Sequence, residues 1–457
     1  MLAPYAGLLS LVILGIASFQ DATRTDKTHR KTIVHQVVPV SGKEVIGPAE
    51  VSVAINPIKP DEVRAISFTH GGSTLYTSDD GGLKWTSSRF PQTDNTRMQG
   101  DDLLVYDAQG NLHHACIRFT GIRTKRPSRA GNGIFTHRYL EGKWSPATPV
   151  VDHVNTVEPF EDKPWLAIDN SASSHKGNVY VSWTRFDEYG NKDPDKKSHL
   201  YFSRSTNGRA GYQPVIRVSD TPGDCVDSSQ TIMGGMPAVG PKGQVYVVWS
   251  GPVGIMLDRS LDGGVTFGKD VQVQNNPGGW DQPVAGTMRA NGLPVIGVDH
   301  STGPRHGTIY VTWADTRHGD LDIFCCSSSD QGATWTQPVR VNNDPQKNGK
   351  LQFFPWMSVD PADGSVNVLF YDRRDEEGMQ TTMTMARSID GGKTFVNYAI
   401  NQPAFTCSDK VFFGDYIGIA AHHGKLVAVY SYFKGKTELA LSAAVFKFKP
   451  GTQEVVE

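Results

Sequence analysis

An octapeptide turn constrains this chain more than any other feature: Ser388-Ile389-Asp390-Gly391-Gly392-Lys393-Thr394-Phe395. Asp-Gly-Gly supplies the positive-φ positions of a tight hairpin, and Thr-Phe opens the next strand. The Ser and Asp side chains can bond the turn amides while the aromatic ring packs beneath. The pattern returns at Ser260 to Phe267 and Ser328 to Trp335, and at Ser78 to Trp85 with Lys84 in place of Thr. Worn copies stand at Glu141-Gly142-Lys143-Trp144 and Ser205-Thr206-Asn207-Gly208. Four good copies call for a fold built by repetition, and they assign Asp80, Asp262, Asp330 and Asp390 to turns rather than to chemistry.

A longer unit surrounds each turn. Its fullest form is Lys163-Pro164-Trp165-Leu166-Ala167-Ile168-Asp169, a turn ending at Lys176-Gly177, then Asn178-Val179-Tyr180-Val181-Ser182-Trp183. With a strand into the octapeptide and a strand out of it, each unit holds four strands. Paired first and second strands recur seven times, at 51–68, 103–117, 165–183, 236–249, 294–313, 356–370 and 416–430. Radial repetition of four-stranded antiparallel blades, an all-β β-propeller, accommodates this pattern, with seven blades expected and six the alternative. The last unit has only one further strand, 437–448, and no octapeptide. The lone strand Thr32–Val38 is expected to complete it, joining the two ends of the chain and removing an exposed sheet edge. Forty-seven Gly, nine Trp and fifteen Tyr in 457 residues suit short strands joined by tight turns. No segment reads as a long amphipathic helix.

Residues 6–18 form an apolar run too short to span a bilayer comfortably. With Gly15-Ile16-Ala17 as a cleavage site, residues 1–19 read as a signal peptide, although no Lys or Arg precedes the run. A polar linker (20–31), the propeller (32–450) and a short tail (451–457) follow, and the expected location is secreted or periplasmic. No later segment could span a membrane, and a net charge of −2 gives no reason to invoke nucleic acid. The cysteines are Cys116, Cys225, Cys325, Cys326 and Cys407. Their odd number leaves at least one unpaired; adjacent Cys325 and Cys326 face opposite ways on a strand, while Cys225 and Cys407 sit in loops and could pair.

Chemistry is expected where loops converge on the axis, on the face opposite the octapeptides. Aligned on their ends, the second strands lead into Thr69, Arg118, Arg185, Gly251, Asp315, Asp372 and Tyr432, one per blade. Asp187, Arg317 and Arg374 lie two residues beyond, with Arg373 adjacent. The first-strand rims add Glu50, Asp101, Asp102, Glu161, Asp162, Lys163 and Asp415. Arginine forks bind carboxylates bidentately, and opposed carboxyl groups can supply the acid and base of glycosidic cleavage. The plainer reading is that these Asp and Arg residues pair with one another between blades. His113-His114 lies within a strand and faces two ways, which disfavours a metal pair.

Four Asp-boxes, Asp162-Lys163-Pro164-Trp165, Phe353-Phe354-Pro355-Trp356, Tyr371-Asp372-Arg373-Arg374 and Gly414-Asp415-Tyr416-Ile417-Gly418 together resemble the sialidase superfamily, specifically bacterial Asp-box (BNR-repeat) proteins. The resemblance covers nearly the whole chain after its first residues. It implies a propeller and, in true sialidases, an arginine triad for the substrate carboxylate, a Tyr nucleophile with a Glu partner and an Asp acid/base. The Arg-Ile-Pro-type motif is absent, since the corresponding stretch reads Val51-Ser52-Val53-Ala54-Ile55-Asn56-Pro57, and no Tyr–Glu pair can be matched. Candidate catalytic residues are Asp102, Asp162, Asp372, Asp415 and Tyr416; candidate substrate-binding residues are Arg118, Arg185, Arg317, Arg373 and Arg374. The expected function is a glycoside hydrolase acting on acidic oligo- or polysaccharides, working as a monomer without metal or cofactor. The alternatives are a polysaccharide lyase on uronic-acid glycans, with Tyr189, Tyr416 or His318 as base, and a non-catalytic propeller binding glycan or protein.

Overall fold

The computed structural model describes residues 30–91, 97–121, 127–208 and 211–456. The leader expected over residues 1–19 lies outside them. Seven antiparallel sheets form the blades of a propeller, each built on a path of four strands. Blade 1 runs Ala49–Ile55, Val63–Thr69, Gly72–Ser78 and Thr86–Arg89 from axis to rim. The innermost strands of blades 2 to 7 are Met98–Tyr106, Phe160–Ile168, Met233–Val239, Val295–Val298, Gln352–Val359 and Gly418–His422. These seven strands touch one another around the ring and so enclose the axis. Among the described residues no helix is long and apolar enough to cross a membrane.

Second strands are covered by a neighbouring blade on both faces, so they read as nearly unbroken apolar runs rather than alternating ones. Trp183, Trp249 and Trp313 occupy the same position in Val179–Phe186, Val245–Gly251 and Ile309–Asp315, and all three are fully buried. Each octapeptide closes as its side chains dictate. Asp390 Oδ1 accepts from Ser388 Oγ at 2.7 Å and from the amides of Lys393 and Thr394 at 3.1 and 3.0 Å. Its Oδ2 accepts from Thr394 Oγ1 at 2.6 Å. Asp80, Asp262 and Asp330 accept the same bond from their turn serines and at least one from a turn amide.

The turns also space the blades. Gly82, Gly264, Gly332 and Gly392 each lie in the left-handed region (φ 95, 81, 80 and 77). A Cβ at Gly82, Gly264 or Gly332 would press on the preceding blade, on Val427 and Val445, on Phe202 and Tyr180, and on Leu257, while one at Gly392 would rest in ordinary contact with Tyr310. Glycine is therefore needed for the backbone angle at all four turns and for the close approach at the first three.

The ring closes as expected, by joining the two ends of the chain. Gln36–Pro39 pairs antiparallel with Leu439–Lys447 (Gln36 opposite Val445, Pro39 opposite Ser442) and becomes the outer strand of blade 7. The strand begins later than the sequence suggests. Before it, His35 leaves the sheet to stack on Phe446 at 4.7 Å, and Lys31 bridges to Tyr398 of blade 6. All five cysteines are buried and free, so the pairing left open for Cys225 and Cys407 does not form. Cys325 and Cys326 do face opposite ways, one into the core shared with blade 6 and the other into that shared with blade 4.

Two outcomes follow. Deleting residues 1–39 strips blade 7 of its outer partner and should lower the melting temperature of the whole ring in a single transition; a second, independent transition in calorimetry would contradict it. Asp390→Ala should cost about 1–2 kcal/mol in urea unfolding, the range for a lost cap.

Candidate functional site

The charged groups at the axis are placed by one backbone device. The innermost strands of blades 1, 2, 3, 4 and 6 each slip register, between Ala49/Ser52, Gly100/Leu103, Asp162/Trp165, Met233/Met236 and Phe353/Trp356. Inside these bulges Glu50, Asp101, Lys163, Gly234 and Phe354 take positive φ (56, 49, 49, 74 and 50). Only one of the five is glycine, so four side chains are held left-handed at about 1 kcal/mol each. Three of those four are ionisable, and they meet at the axis.

Lys163 Nζ lies 2.8 Å from Asp415 Oδ2, 3.5 Å from Asp101 Oδ1 and 3.9 Å from Glu50 Oε1, and 5.7 Å above the Tyr416 ring. Burial alone would push this lysine's pKa down, but Asp415, Asp101 and Glu50 together hold it well above the ordinary value. Asp415 also receives Arg289, with Nε at 2.8 Å from Oδ1 and Nη2 on Oδ2. Burial opposes its ionisation, yet Lys163 and Arg289 outweigh that and lower its carboxyl to about 2. Glu50 and Asp101 are raised, chiefly by burial, with each other's charge or that of Asp415 adding to it.

Beside this cluster opens a cleft of about 210 Å³. Glu50, Asp101, Asp162, Lys163, Tyr189 and Arg289 line it, with Phe119, Phe160 and Phe412 as apolar wall. A narrower recess shares Asp162, Lys163 and Arg289 and adds Asp227, Asp281 and Trp280. Asp162 keeps some solvent exposure at the cleft, but its surroundings lift its carboxyl to about 7, burial first and the charge of Asp101 second. Among the described residues no hydrogen bond engages its side chain. Tyr189 OH donates to Asp227 Oδ2 at 2.6 Å, and burial and then Asp227 push the phenol pKa up. The Arg289 side chain is 44% exposed, lies 5.0 Å over the Phe412 ring and places Nη1 3.8 Å from Asp227. This arrangement offers an acid that holds its proton near neutrality, a phenol coupled to a carboxylate, and a cation open to an anionic ligand.

Of the candidate residues, the structure brings Asp162 and Asp415 to the axis and seats Tyr416 beneath Lys163, packed on Trp165 and Trp356 at 5.2 and 5.7 Å. The arginines do not converge there. Arg185 binds Glu161 (Nε 2.7 Å, Nη2 2.5 Å) and lies 4.1 Å over Tyr201. Arg317 forks onto Asp315, 2.9 Å at Nε and 2.5 Å at Nη2. In both blades the same carboxylate also accepts the buried indole, from Trp183 at 2.6 Å and from Trp313 at 2.7 Å. Arg374 binds Asp372 at 2.7 Å, and Asp372 further accepts from Thr384 at 2.6 Å and Gln352 at 3.1 Å. Arg373 bonds Thr381 Oγ1 and the Ala285 carbonyl, both at 3.0 Å. A residue just past a strand end meets the adjoining sheet before it meets the axis, so the charges are spent on neighbours.

Asp102 and Arg118 are the two ends of a buried chain. Arg118 Nη2 donates to His137 Nε2 at 2.9 Å, the two histidine Nδ1 atoms meet at 3.1 Å, and His114 Nε2 meets Asp102 at 2.7 Å. One proton per link satisfies every member when both rings are neutral, and burial first, then His114, lowers His137 to about 2. Cys116 Sγ also comes within 4.8 Å of a nitrogen of each ring, in a set that could hold a metal ion. Because Arg118 requires an unprotonated His137 Nε2, the inventory closes as a hydrogen-bond chain without an ion.

No family model and no curated protein matches the chain. Solved structures do. An ulvan lyase of polysaccharide lyase family PL25 superposes with a TM-score of 0.51 at 10% identity, covering 89% of this chain and 95% of that one. The NanB sialidase of Streptococcus pneumoniae gives 0.49 at 9% identity, over 90% of this chain and 97% of that one. The intramolecular trans-sialidase of Ruminococcus gnavus gives 0.44 at 13% identity, over 89% and 96%. The chain folds as a seven-bladed β-propeller, similar in fold to the ulvan lyase. At these identities the likeness concerns the fold alone.

In this propeller Arg289, Asp227 and Asp281, which line the cleft and its recess, escaped the sequence reading. Arg289 lies in a segment between blades 4 and 5 that forms its own small hairpin, Asp281–Gln282 with Ala290–Asn291. An insertion that enters a first strand must emerge at the axial face, and its excess length was the available signal.

The raised carboxyls set a pH dependence of stability. A folded pKa of about 7 at Asp162, against a usual value of 3.8, means ionisation costs the folded state. Stability is therefore full below pH ~4 and declines as pH rises to ~7. Asp162→Asn should match the native chain at pH 5 less closely than at pH 4, and exceed it at pH 8 by about 2 kcal/mol, roughly half the full displacement because the site is partly solvated. Unfolding curves across pH check this; a variant with no gain on the alkaline side would place the raised carboxyl elsewhere.

Proposed function

We propose that the protein is a secreted glycoside hydrolase acting on acidic glycans, with the acidic sugar seated in the axial cleft. One observation carries this reading: a carboxyl near pKa 7, a phenol bonded to a carboxylate at 2.6 Å and an arginine 44% exposed line the same pair of recesses. Arg289 would hold the sugar carboxylate through charge-assisted bonds, while Asp415 fixes the guanidinium from behind. Asp162 would give its proton to the glycosidic oxygen as that bond breaks. The Tyr189 oxygen forms the new bond to the anomeric carbon as its proton passes to Asp227. Water then attacks the same carbon, Asp162 takes the water's proton, and Tyr189 leaves with its own proton restored. A neutral phenol suits an anionic sugar, since an ionised nucleophile would be repelled by the substrate carboxylate. A lyase using Tyr189 as base would need the phenolate, which burial and Asp227 both disfavour.

Incubation with sialosides and uronic-acid glycans should release free acidic sugar without a product that absorbs in the near ultraviolet. Tyr189→Phe and Asp162→Asn should each lower kcat/KM by about 100-fold or more, and activity should fall above pH ~7 as Asp162 loses its proton. Arg185→Ala should lower thermal stability and leave KM unchanged, because its fork is taken up by Glu161. An absorbing, unsaturated product would make the protein a lyase; binding without turnover of any member would make it a non-catalytic glycan-binding propeller.

A further inference from the structure

Blades 1 and 4 are the ones cut short at the axial face among the described residues, by the two-residue turns His70-Gly71 and Pro252-Val253. Where blades 2 and 3 carry Arg118 and Arg185 at the end of the second strand, blade 4 carries Gly251, paired directly with Gly254 across the two-residue turn Pro252-Val253. Blade 3 by contrast spends residues 187–197 between its second and third strands. The short turn leaves a notch in the rim, and a groove of about 540 Å³ occupies it. Two segments build the groove, one around Ser229 and Gln230 and the other at 275–279.

These are the same two segments that close the axial recess. Asp227 stands two residues before Ser229, and Asp281 two residues after Gly279; both line the recess. The amide of Asp281 donates to Ser229 Oγ at 3.2 Å, which ties one segment to the other. Gly279 (φ 74) makes the approach possible, since a Cβ there would collide with Ser229. Blade 5 anchors the second segment. Arg317 Nη2 donates to the Asn275 carbonyl at 3.0 Å, and the Thr316 amide to that of Pro277 at 3.2 Å.

The chemistry of the groove is unlike that of the cleft. The axial cleft and recess are lined by nine ionisable side chains, whereas no residue lining the groove is ionisable. Pro252, Val253 and Pro277 offer apolar faces, Val253 being 44% exposed, and Gln230, Asn275 and Asn276 offer amides. Asn276 spends its Nδ2 on Ser250 Oγ at 3.2 Å, while its buried Oδ1 has no hydrogen-bond partner. A ligand hydroxyl would satisfy this acceptor as the Asn276 side chain turns its amide toward the groove. Amides for hydroxyls and flat apolar faces for ring C–H edges suit uncharged sugar units.

We infer that the blade 4 groove is a subsite for the neutral portion of a glycan whose acidic unit occupies the axial cleft, so that the protein reads a chain rather than one terminal sugar. This rests on the proposed function, and its test separates the two. Calorimetric titration would compare lactose, free sialic acid or glucuronic acid, and lactose capped with the same acid, against the native protein, Asn276→Ala and Val253→Trp. The capped glycan should bind at least 10-fold more tightly than the free acid, and both substitutions should remove most of that gain while leaving affinity for the free acid unchanged. Circular dichroism melts would confirm that both variants fold. If the capped glycan binds no more tightly than the free acid, or if both variants bind it like the native chain, the groove is not a subsite and the axial reading stands. If neither the free acid nor the capped glycan binds, both readings fall. Lactose bound at the axis and insensitive to both substitutions would also overturn the groove assignment.

Discussion

Everything at the axis depends on a pairing at the rim: the four residues Gln36–Pro39 laid against Leu439–Lys447. A propeller blade buries both faces only if it has a neighbour on each side, so the first and last blades of an open ring would each expose an apolar sheet. Joining the chain's ends within one sheet couples their stabilities, because the ring cannot part there without breaking blade 7. The octapeptide turns act in the same sense. Each lays a glycine against the preceding blade, as Gly82 does on Val427 and Val445 of the closing blade. Angular spacing is thereby fixed at the turn ends of the strands while the axial charges stand at the opposite ends.

That rigidity is what makes the axial charges tolerable. A buried lysine within 4 Å of three carboxylates is an expensive arrangement, and its attraction offsets desolvation only when the geometry is held. The bulges hold it, at the cost of left-handed angles at Glu50, Asp101 and Lys163. Second positions of the same bulges turn away and are fastened among the blades. Asp102 takes bonds from His114 and Gln99 at 2.7 and 2.8 Å, which fixes the backbone that aims Asp101 at the axis. Alternate residues of one short segment thus serve the site and the scaffold.

The sequence made the fold legible because its signals are local and repeated. A Ser-x-Asp turn with glycine, and a Val-Tyr-Val-x-Trp strand, mean the same thing wherever they occur, and seven repetitions leave little choice of architecture. The site was legible only in part. Asp162 and Asp415 could be found because they border innermost strands, which any propeller aims at its axis. Arg185 and Arg317 could not be placed, since a residue beyond a strand end can turn to the axis or to the next sheet. The choice was made by a carboxylate already holding a buried indole, Glu161 under Trp183 and Asp315 under Trp313. Arg289 carries no repeat signature, for it comes from an insertion that breaks the repeat.

The contrast between these arginines sharpens what a site requires. Arg185, Arg317 and Arg374 each hold a carboxylate through Nε, with side-chain exposures of 16%, 18% and 1%. Such a group has little room for a ligand, and removing it uncovers a buried acid. Arg289 also binds a carboxylate through Nε and Nη2 and has Nη1 3.8 Å from Asp227, but its side chain is 44% exposed over an aromatic face. The same residue type is a clamp where its partner is fully enclosed and a candidate ligand-holding group where its partner leaves one side to the cleft. Blade 4 carries a glycine at the corresponding ring position, above a two-residue turn. Its glycine lowers the wall beside residues 227–230 and 275–281, the segments that border both the groove and the recess of Arg289.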